Sequence, residues 1–227
     1  MSTHEVVHLA DRLRESDAAL NPDPRTPPGE TLESHRQQIA QFQVSDSAPY
    51  SVRVHFETAK NVYLYAWFVY RFYPVAEQHA LTTIEFALCE RLRPLFPQMF
   101  GTQLDRSPGL KVLIEKAKAA NLISNHGFSA CHRLALRRAQ ERVSDEAMRL
   151  LIEGNLDVVE VDYKSARPKP QDYPDVLSVY AETLPSIRNT YAHGTSMLHN
   201  MVLGTFETAM DLVNELFPGA LNTDTRG

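Results

Sequence analysis

Apolar residues recur at intervals of three and four through most of the chain, the spacing that gathers side chains on one face of an α-helix. Two clear stripes are Leu81, Ile84, Leu88 and Leu92, and Leu198, Val202, Phe206, Ala209, Val213 and Leu216. Prolines and glycines separate such segments, where they end helices. The pattern therefore predicts an all-α fold.

Residues 1–55 are predicted to form an N-terminal arm. This part is polar and punctuated by proline, with weak helical spacing from Val6 to Leu20 and a second weak helix from Thr31 to Phe42. Such a composition favours an arm that packs on a main domain, or a partly mobile tail, over a separate domain. The main helical domain is then 56–217, and residues 218–227 form a tail.

The segment 56–73 carries bulky aromatic and aliphatic residues, Trp67 among them, in nearly every direction around a helix. A strand is the competing interpretation, but the length of the run and the absence of glycine or proline within it favour a helix. A helix that is apolar all round must be covered by its own bundle or by a second subunit. This segment is the first indication of a homodimer.

Further helices are predicted along the rest of the main domain. They are expected at 74–92, from Ser107 to Ala117, at 129–151 as one or two helices, from Val176 into residues 184–194, and from Thr195 or Ser196 to Phe217. Pro185 interrupts the stripe that continues from Val176. It must therefore kink that helix or begin a new one, with Thr183 as a possible cap.

Residues 154–175 break the helical pattern. Val158 to Val161 could form a short strand, so the segment is predicted to be an inserted loop or a short hairpin. The basic residues Lys164, Arg167 and Lys169 follow this stretch. They could close over an anionic ligand, and simple exposure to solvent is the alternative. A long loop in a helical domain is more often functional or disordered than accidental.

Four arginines, Arg133, Arg137, Arg138 and Arg142, lie in the predicted helix 129–151, where the pairs 133/137 and 138/142 each share a face. One interpretation is a patch that follows the phosphates of RNA. The other is a solvated face paired with Glu141, Asp145 and Glu146. The candidate RNA-binding residues are thus Arg133, Arg137, Arg138, Lys164, Arg167 and Lys169.

The overall composition argues against several classes of protein. A net charge of −5 argues against non-specific coating of nucleic acid, although a local basic patch remains compatible with it. The two cysteines are too few for a disulfide framework or a cysteine-based zinc site. Neither a signal peptide nor an apolar run of membrane-spanning length is recognisable. We expect a cytoplasmic protein that does not insert into membranes.

A metal site is not expected. The segment from His4 to His8 reads His-Glu-Val-Val-His and matches the pattern of zinc proteases. A catalytic zinc helix needs a third ligand and a folded wall for the substrate, whereas this match lies at the start of a proline-rich arm.

The strongest candidate chemistry lies between Pro185 and Gly194, where Arg188, Asn189 and His193 occur together. Arginine stays charged at every working pH, whereas histidine titrates near neutrality, so the set could hold a phosphate and move a proton. Asn189 and His193 are neighbours at i and i+4 on a helix, so the amide could fix the imidazole tautomer.

Arg188 lies roughly 140° round a regular helix from His193. One subunit therefore cannot bring both side chains onto one phosphate unless the helix is distorted between Pro185 and Gly194. The alternative is that the arginine of one subunit meets the histidine of another across a two-fold axis.

The arrangement Arg188-Asn189-x-x-x-His193, at the end of the penultimate helix, resembles the Arg-polar-x-x-x-His motif of the HEPN superfamily. The stretch from Ala80 to Leu88, rich in alanine and leucine and containing Glu85, is similar to an early HEPN helix. The resemblance implies a bundle of four or five helices over about 56–217, without the arm and the insert. Many members are metal-independent endoribonucleases of toxin–antitoxin, abortive-infection and CRISPR systems.

What the resemblance implies is cleavage of RNA by its own 2'-hydroxyl in a dimer. His193 would exchange protons with the 2'-hydroxyl or the leaving 5'-oxygen, Arg188 would stabilise the phosphorane, and Asn189 would orient His193 or the phosphate. An antitoxin or other protein could be a partner, although Thr195 stands where nucleotidylated toxins carry tyrosine. The alternative is a non-catalytic helical dimer that binds a protein or RNA, with Arg188 merely paired to an acidic residue.

Overall fold

The computed structural model describes residues 11–101, 108–155, 157–192 and 198–219. Its α-helices are α1 (Leu32–Ala40), α2 (Tyr50–Tyr65), α3 (Phe72–Leu92), α4 (Leu110–Ala119), α5 (Ser129–Glu153), α6 (Val176–Ala192) and α7 (Leu203–Leu216). No strand occurs in these ranges, so the predicted all-α fold is confirmed. None of the helices within them combines the length and the apolar character needed to cross a membrane.

The centre of the bundle is α3, which packs against α2, α4, α6 and α7. Its buried residues point in almost every direction, because neighbouring helices cover it on several sides. Leu81, Ile84, Leu88 and Leu92 are completely buried, as their spacing predicts. The helix begins at Phe72, close to the predicted start at Pro74.

The aromatic run 56–73 is not the single helix that its pattern predicts. It comprises most of α2, a connection at 66–71 and the first residues of α3. The connection is fixed from outside the run, since the backbone N–H of Asp23 donates to the carbonyl of Trp67 at 2.9 Å. Trp67 is only 6% exposed within this one chain. The run therefore does not by itself require a second subunit.

The arm contributes to the same core. The helix α2 begins at Tyr50 instead of Phe56, so the boundary placed at residue 55 falls inside it. Ile39, Phe42 and Val52 belong to the main hydrophobic cluster. The second weak helix is confirmed as α1, with Thr31 as its N-cap. The described part of the helix expected at Val6 to Leu20 contains turns and no α-helix.

Buried His35 links α1 to α2 through its contacts with Tyr63. Its ring stacks on Tyr63 with centroids 4.4 Å apart, and Nε2 lies 2.9 Å from the Tyr63 carbonyl, which can only accept a hydrogen. The Nδ1 atom must then be the unprotonated nitrogen, and it has no hydrogen-bond partner among the described residues. Burial lowers the pKa of His35, although the Tyr63 carbonyl and Glu30 oppose this effect.

We expect the free energy of unfolding to fall between about pH 7 and about pH 5, partly through His35. A histidine whose folded pKa is lowered binds its proton more readily in the unfolded chain, so acid favours unfolding. His35→Gln keeps an N–H donor for Tyr63 but does not titrate. Its urea-unfolding free energies should therefore vary less with pH than those of the wild type, by up to about 1 kcal/mol per pH unit.

The pKa of His79 is also lowered, by burial and by the neighbouring charge of His55, so the variant should keep part of the pH dependence. Parallel pH dependences for His35→Gln and the wild type would contradict this role of His35.

The other helix predictions hold in part. The stretch 129–151 is one helix, α5, but α4 begins after Gly109 instead of Ser107, which lies outside the described residues. The helix α7 begins at Leu203, later than Thr195 or Ser196. Pro185 lies inside α6, and Thr183 donates to the carbonyl of Val179 instead of capping a new helix.

Of the two structures predicted for the insert 154–175, the loop is confirmed, and its described residues 154–155 and 157–175 contain no hairpin. Its described residues form two short 3-10 turns, Tyr163–Ser165 and Pro170–Asp172, and Val158 is 82% exposed. The buried carboxylate of Asp172 fixes the loop to α5, because it accepts a hydrogen bond from the guanidinium of Arg142. It also accepts one from the backbone N–H of Lys169 within the loop. These hydrogen bonds lower the pKa of Asp172.

Candidate functional site

The helix α6 holds Arg188 and Asn189 near its C-terminal end. Leu177, Ala181 and Leu184 are buried along it, and α6 packs against α3 and α4. This packing leaves Arg188 half-buried at the edge of the α3 contact, while Asn189 is exposed. His193, the predicted proton-transfer residue, lies outside the described residues, and so do its expected contact with Asn189 and the predicted cap Gly194.

Among the described residues, Arg188 contacts one acidic residue and one amide. Its Nε lies 3.4 Å from Oε2 of Glu85 on α3, and its Nη1 donates to Oδ1 of Asn189 at 3.5 Å. The two side chains of the ion pair are 42% and 22% exposed, so solvent weakens their attraction. A guanidinium carries five N–H donors, and these two contacts leave donors for a ligand.

A cleft of about 310 Å³ lies beside Arg188, between α6, α3 and the start of α4. Its lining consists of Glu85, Gly109, Leu110, Lys111, Pro185, Arg188 and Asn189. Gly109 is the N-cap of α4 and offers no side-chain cap, so the first N–H groups of the helix have no partner from that side chain. Such N–H groups together with the helix dipole favour an anion.

Lys111 adds a second cation to this cleft. Its Nζ lies 2.5 Å from Oε1 of Glu182, and the hydrogen bond to Glu182 raises the pKa of Lys111. Both side chains are exposed, at 46% and 68%, so the pair is weakly held and an anion could exchange for Glu182. The cleft thus offers a guanidinium, an ammonium, an amide and backbone N–H groups to one ligand.

Gly109 and Lys111 are parts of this site that were not among the predicted residues. They precede Arg188 by more than seventy residues, and only the packing of α4 on α6 brings them together. A glycine before a helical stripe marks a helix start, but nothing in the sequence indicates which other helix that start faces.

The predicted arginine patch on α5 is largely engaged with other protein groups. Arg133 donates through both Nη atoms to the carboxylate of Glu207 on α7, and Arg138 donates to the carbonyl of Asp172 at 3.0 Å. Arg142 pairs with the Asp172 carboxylate. The partners Glu207 and Asp172 differ from the expected Glu141, Asp145 and Glu146. Arg137 is exposed.

The basic residues of the insert lie at the other end of α6 from Arg188. Arg167 donates to the carbonyls of Lys164 and Ala166, while the side chains of Lys164 and Lys169 are exposed. The insert ends where α6 begins, and Arg188 lies about 18 Å further along the helix axis at about 1.5 Å per residue. The structure therefore does not bring these residues to the Arg188 cleft.

No group of three or more histidine, cysteine, aspartate or glutamate side chains in the described ranges is arranged to hold a metal ion. The His4 to His8 motif lies outside those ranges.

We compared the chain with protein-family models, curated protein sequences and solved structures, and none of the three comparisons gives a match. The resemblance to the HEPN superfamily therefore stays a prediction that rests on the motif and on the helical fold.

Proposed function

We propose that the chain is a HEPN-type endoribonuclease that cleaves RNA by attack of its own 2'-hydroxyl, without a metal ion. The observation that supports it most directly is the cleft beside Arg188, where two cations meet the start of α4, whose N-cap Gly109 supplies no side-chain hydrogen bond. Phosphodiesters are bound by such combinations of guanidinium and backbone N–H groups.

In this proposal Arg188 stabilises the charge that grows on the phosphorane, and Asn189 positions the phosphate or the imidazole of His193. His193 transfers a proton at the 2'-hydroxyl or at the leaving 5'-oxygen. We further propose a cytoplasmic homodimer that acts in stress or phage defence, with an antitoxin or other protein partner. In a dimer the arginine and histidine acting on one phosphate could come from different subunits.

The direct test is incubation of the purified protein with varied RNAs in the presence of EDTA. We expect cleavage products that end in 2',3'-cyclic phosphates, because internal transesterification needs no water in its first step. His193→Ala should abolish the cyclic ends, whereas Arg36→Ala, an exposed arginine paired with Glu33, should cleave as the wild type does. Intact RNA with well-folded wild-type protein would contradict the proposal.

The second candidate is a non-catalytic helical dimer that binds a protein or RNA. The ion pair between Arg188 and Glu85 favours it, because it gives Arg188 a structural role without catalysis. Under this alternative, Arg188→Ala and His193→Ala leave function unchanged. Trp67→Ala would not test assembly selectively, since Trp67 is buried inside the chain and its loss would weaken the fold.

A further inference from the structure

A second cavity lies on the opposite flank of α6 from the Arg188 cleft. It measures about 260 Å³ and is lined by Glu77, Ser186, Ile187, Thr190, Tyr191 and His199. The two sets of lining residues on α6 do not overlap, because successive residues turn about 100° round the helix. The cavity is several times the roughly 30 Å³ that a water molecule occupies in the liquid. It therefore has room for a small ring.

The base of this cavity is a buried carboxylate. Glu77 on α3 is 5% exposed and accepts hydrogen bonds from the hydroxyls of Tyr191 at 2.5 Å and Thr205 at 2.6 Å. A carboxylate has about four acceptor positions, so the two bonds that Glu77 accepts from described residues leave acceptor capacity on it. His199 Nε2 lies 3.7 Å from the same carboxylate.

These contacts determine which groups around the cavity donate hydrogen bonds and which accept them. An ionised carboxylate only accepts, so Tyr191 uses its single proton on Glu77. The Tyr191 oxygen, 3.2 Å from His199 Nε2, must then accept a hydrogen from that nitrogen. The hydroxyl of Thr190 likewise donates its hydrogen to the Ser186 carbonyl at 2.9 Å. The cavity therefore presents acceptors at its base and apolar surface from Ile187 and the Tyr191 ring on its walls.

We propose that this cavity is a nucleoside subsite, which takes a ring carrying hydrogen-bond donors from a nearby nucleotide of the strand whose phosphate lies at Arg188. The inference rests on the proposed function. Ribose hydroxyls and base N–H groups both supply such donors, and the apolar walls suit the face of a ring.

The position of the cavity fits a continuous strand. A helix with its side chains is about 10–12 Å wide, and about three stacked nucleotides at about 3.4 Å each span that width. The face of α6 between the two cavities carries the exposed residues Ser186, Asn189 and Thr190. An RNA strand crossing this face would place a phosphate at Arg188 and a nearby nucleoside in the cavity.

Two threonines of α6 provide a matched pair of variants. Thr190 and Thr183 are both exposed, and each donates its hydroxyl to the carbonyl four residues earlier. Only Thr190 lines the cavity. Thr190→Phe should therefore fill the cavity without disturbing the core, whereas Thr183→Phe adds the same ring elsewhere on the same face.

The test measures binding of short single-stranded RNAs in a His193→Ala background, so that bound RNA is not cut. Thr190→Phe should weaken binding about tenfold, the effect of losing roughly one stacked base, and Thr183→Phe should not. In a series of RNAs that each carry one abasic site at a different position, affinity should fall for one position only. A second series with single 2'-deoxy positions shows whether the ribose supplies the donor. In Thr190→Phe these losses should disappear.

Equal binding by Thr190→Phe and Thr183→Phe, or no register-dependent loss with either modified RNA, would overturn the subsite. If the wild type binds no RNA, the proposed function fails but the cavity is still testable with free nucleosides by NMR. Shifts at Tyr191 and His199 that vanish in Thr190→Phe would then support a nucleoside site without ribonuclease activity. Absence of those shifts would overturn it.

Discussion

Arg188→Ala should slow RNA cleavage by about 10²–10³-fold. Arg188 is the cation of the cleft nearest to the proposed proton-transfer residue in sequence, and removal of one donor that stabilises a charged transition state has effects of this size. The cleavage rate of Arg188→Lys should lie between the rates of Arg188→Ala and the wild type, because an ammonium keeps the charge but lacks the planar set of donors of a guanidinium. The measurement is the single-turnover rate with a labelled RNA in EDTA.

Loss of folding cannot account for such a decrease. The pair between Arg188 and Glu85 is partly exposed, so its removal should change the free energy of unfolding by less than about 1 kcal/mol. Thermal unfolding of Arg188→Ala should therefore resemble that of Arg36→Ala, whose own ion pair with Glu33 is 54% and 58% exposed. A cleavage rate within about threefold of wild type in Arg188→Ala would contradict a role on the phosphorane.

The salt dependence of RNA binding gives a second, independent measure. Removing one cation that neutralises a phosphate of a single-stranded nucleic acid reduces the slope of log affinity against log salt by about 0.7. We expect a change of this size for Arg188→Ala and none for Arg36→Ala. An unchanged slope with weakened binding would indicate that Arg188 acts on the fold of the cleft and not on a phosphate.

Helical periodicity predicts those parts of this fold that depend on local sequence. The stripe ending at Leu92 gives α3 to within two residues of its start, and Thr31 marks the start of α1. The break between α2 and α3 has no such local signal. It depends on Asp23, which bonds to Trp67 and Tyr70 from more than forty residues away.

Pro185 shows how packing can outweigh a local rule. Proline has no N–H, so the carbonyl of Ala181 loses its usual helical partner. The residues around this position, Leu177, Ala181 and Leu184, are nevertheless buried in the bundle. Beyond Pro185, the partly buried Ile187 and Tyr191 pack against the same core, so the helix is held on both sides of the proline and continues to Ala192.

The motif indicates two residues of the cleft, Arg188 and Asn189, but neither the cleft residues from α4 nor the partners of these side chains. Arginine, asparagine and histidine at helical spacing indicate the chemistry of the motif. The contacts of Arg188 with Glu85, of Arg133 with Glu207 and of Tyr191 with Glu77 join residues 74 to 114 positions apart. Only the packing of α3, α5, α6 and α7 decides these pairs, and one sequence carries no direct record of it.

Asp23→Ala should lower the free energy of unfolding by about 3–5 kcal/mol, because it leaves buried donors without their acceptor. Asp23 is 2% exposed, and its carboxylate accepts from the backbone and side chain of Arg25, from Arg14 and from the N–H of Tyr70. Asp46→Ala is the matched control, since Asp46 pairs with Arg53 at a fully exposed position and should change stability by at most about 0.5 kcal/mol.

The same carboxylate should contribute to acid unfolding. Burial alone would raise the pKa of Asp23, but the hydrogen bonds from Arg25 and Tyr70 outweigh it and lower the pKa. A carboxylate with a lowered folded pKa stabilises the protein above its unfolded value of about 3.9, and this stabilisation is lost as the pH falls through the folded pKa. Asp23→Asn should therefore show less further loss of stability below about pH 4 than the wild type.

Two probes of urea unfolding decide whether the arm belongs to the cooperative unit. Fluorescence of Trp67, the only tryptophan, reports on the contact with Asp23, and far-UV circular dichroism reports on all helices. Because Ile39, Phe42 and Val52 lie in the main core, we expect the two transitions of Asp23→Ala to shift together. The fluorescence transition could instead move to lower urea while the circular dichroism transition stays in place. In that case the arm unfolds separately, and Asp23 holds the arm in place without stabilising the bundle.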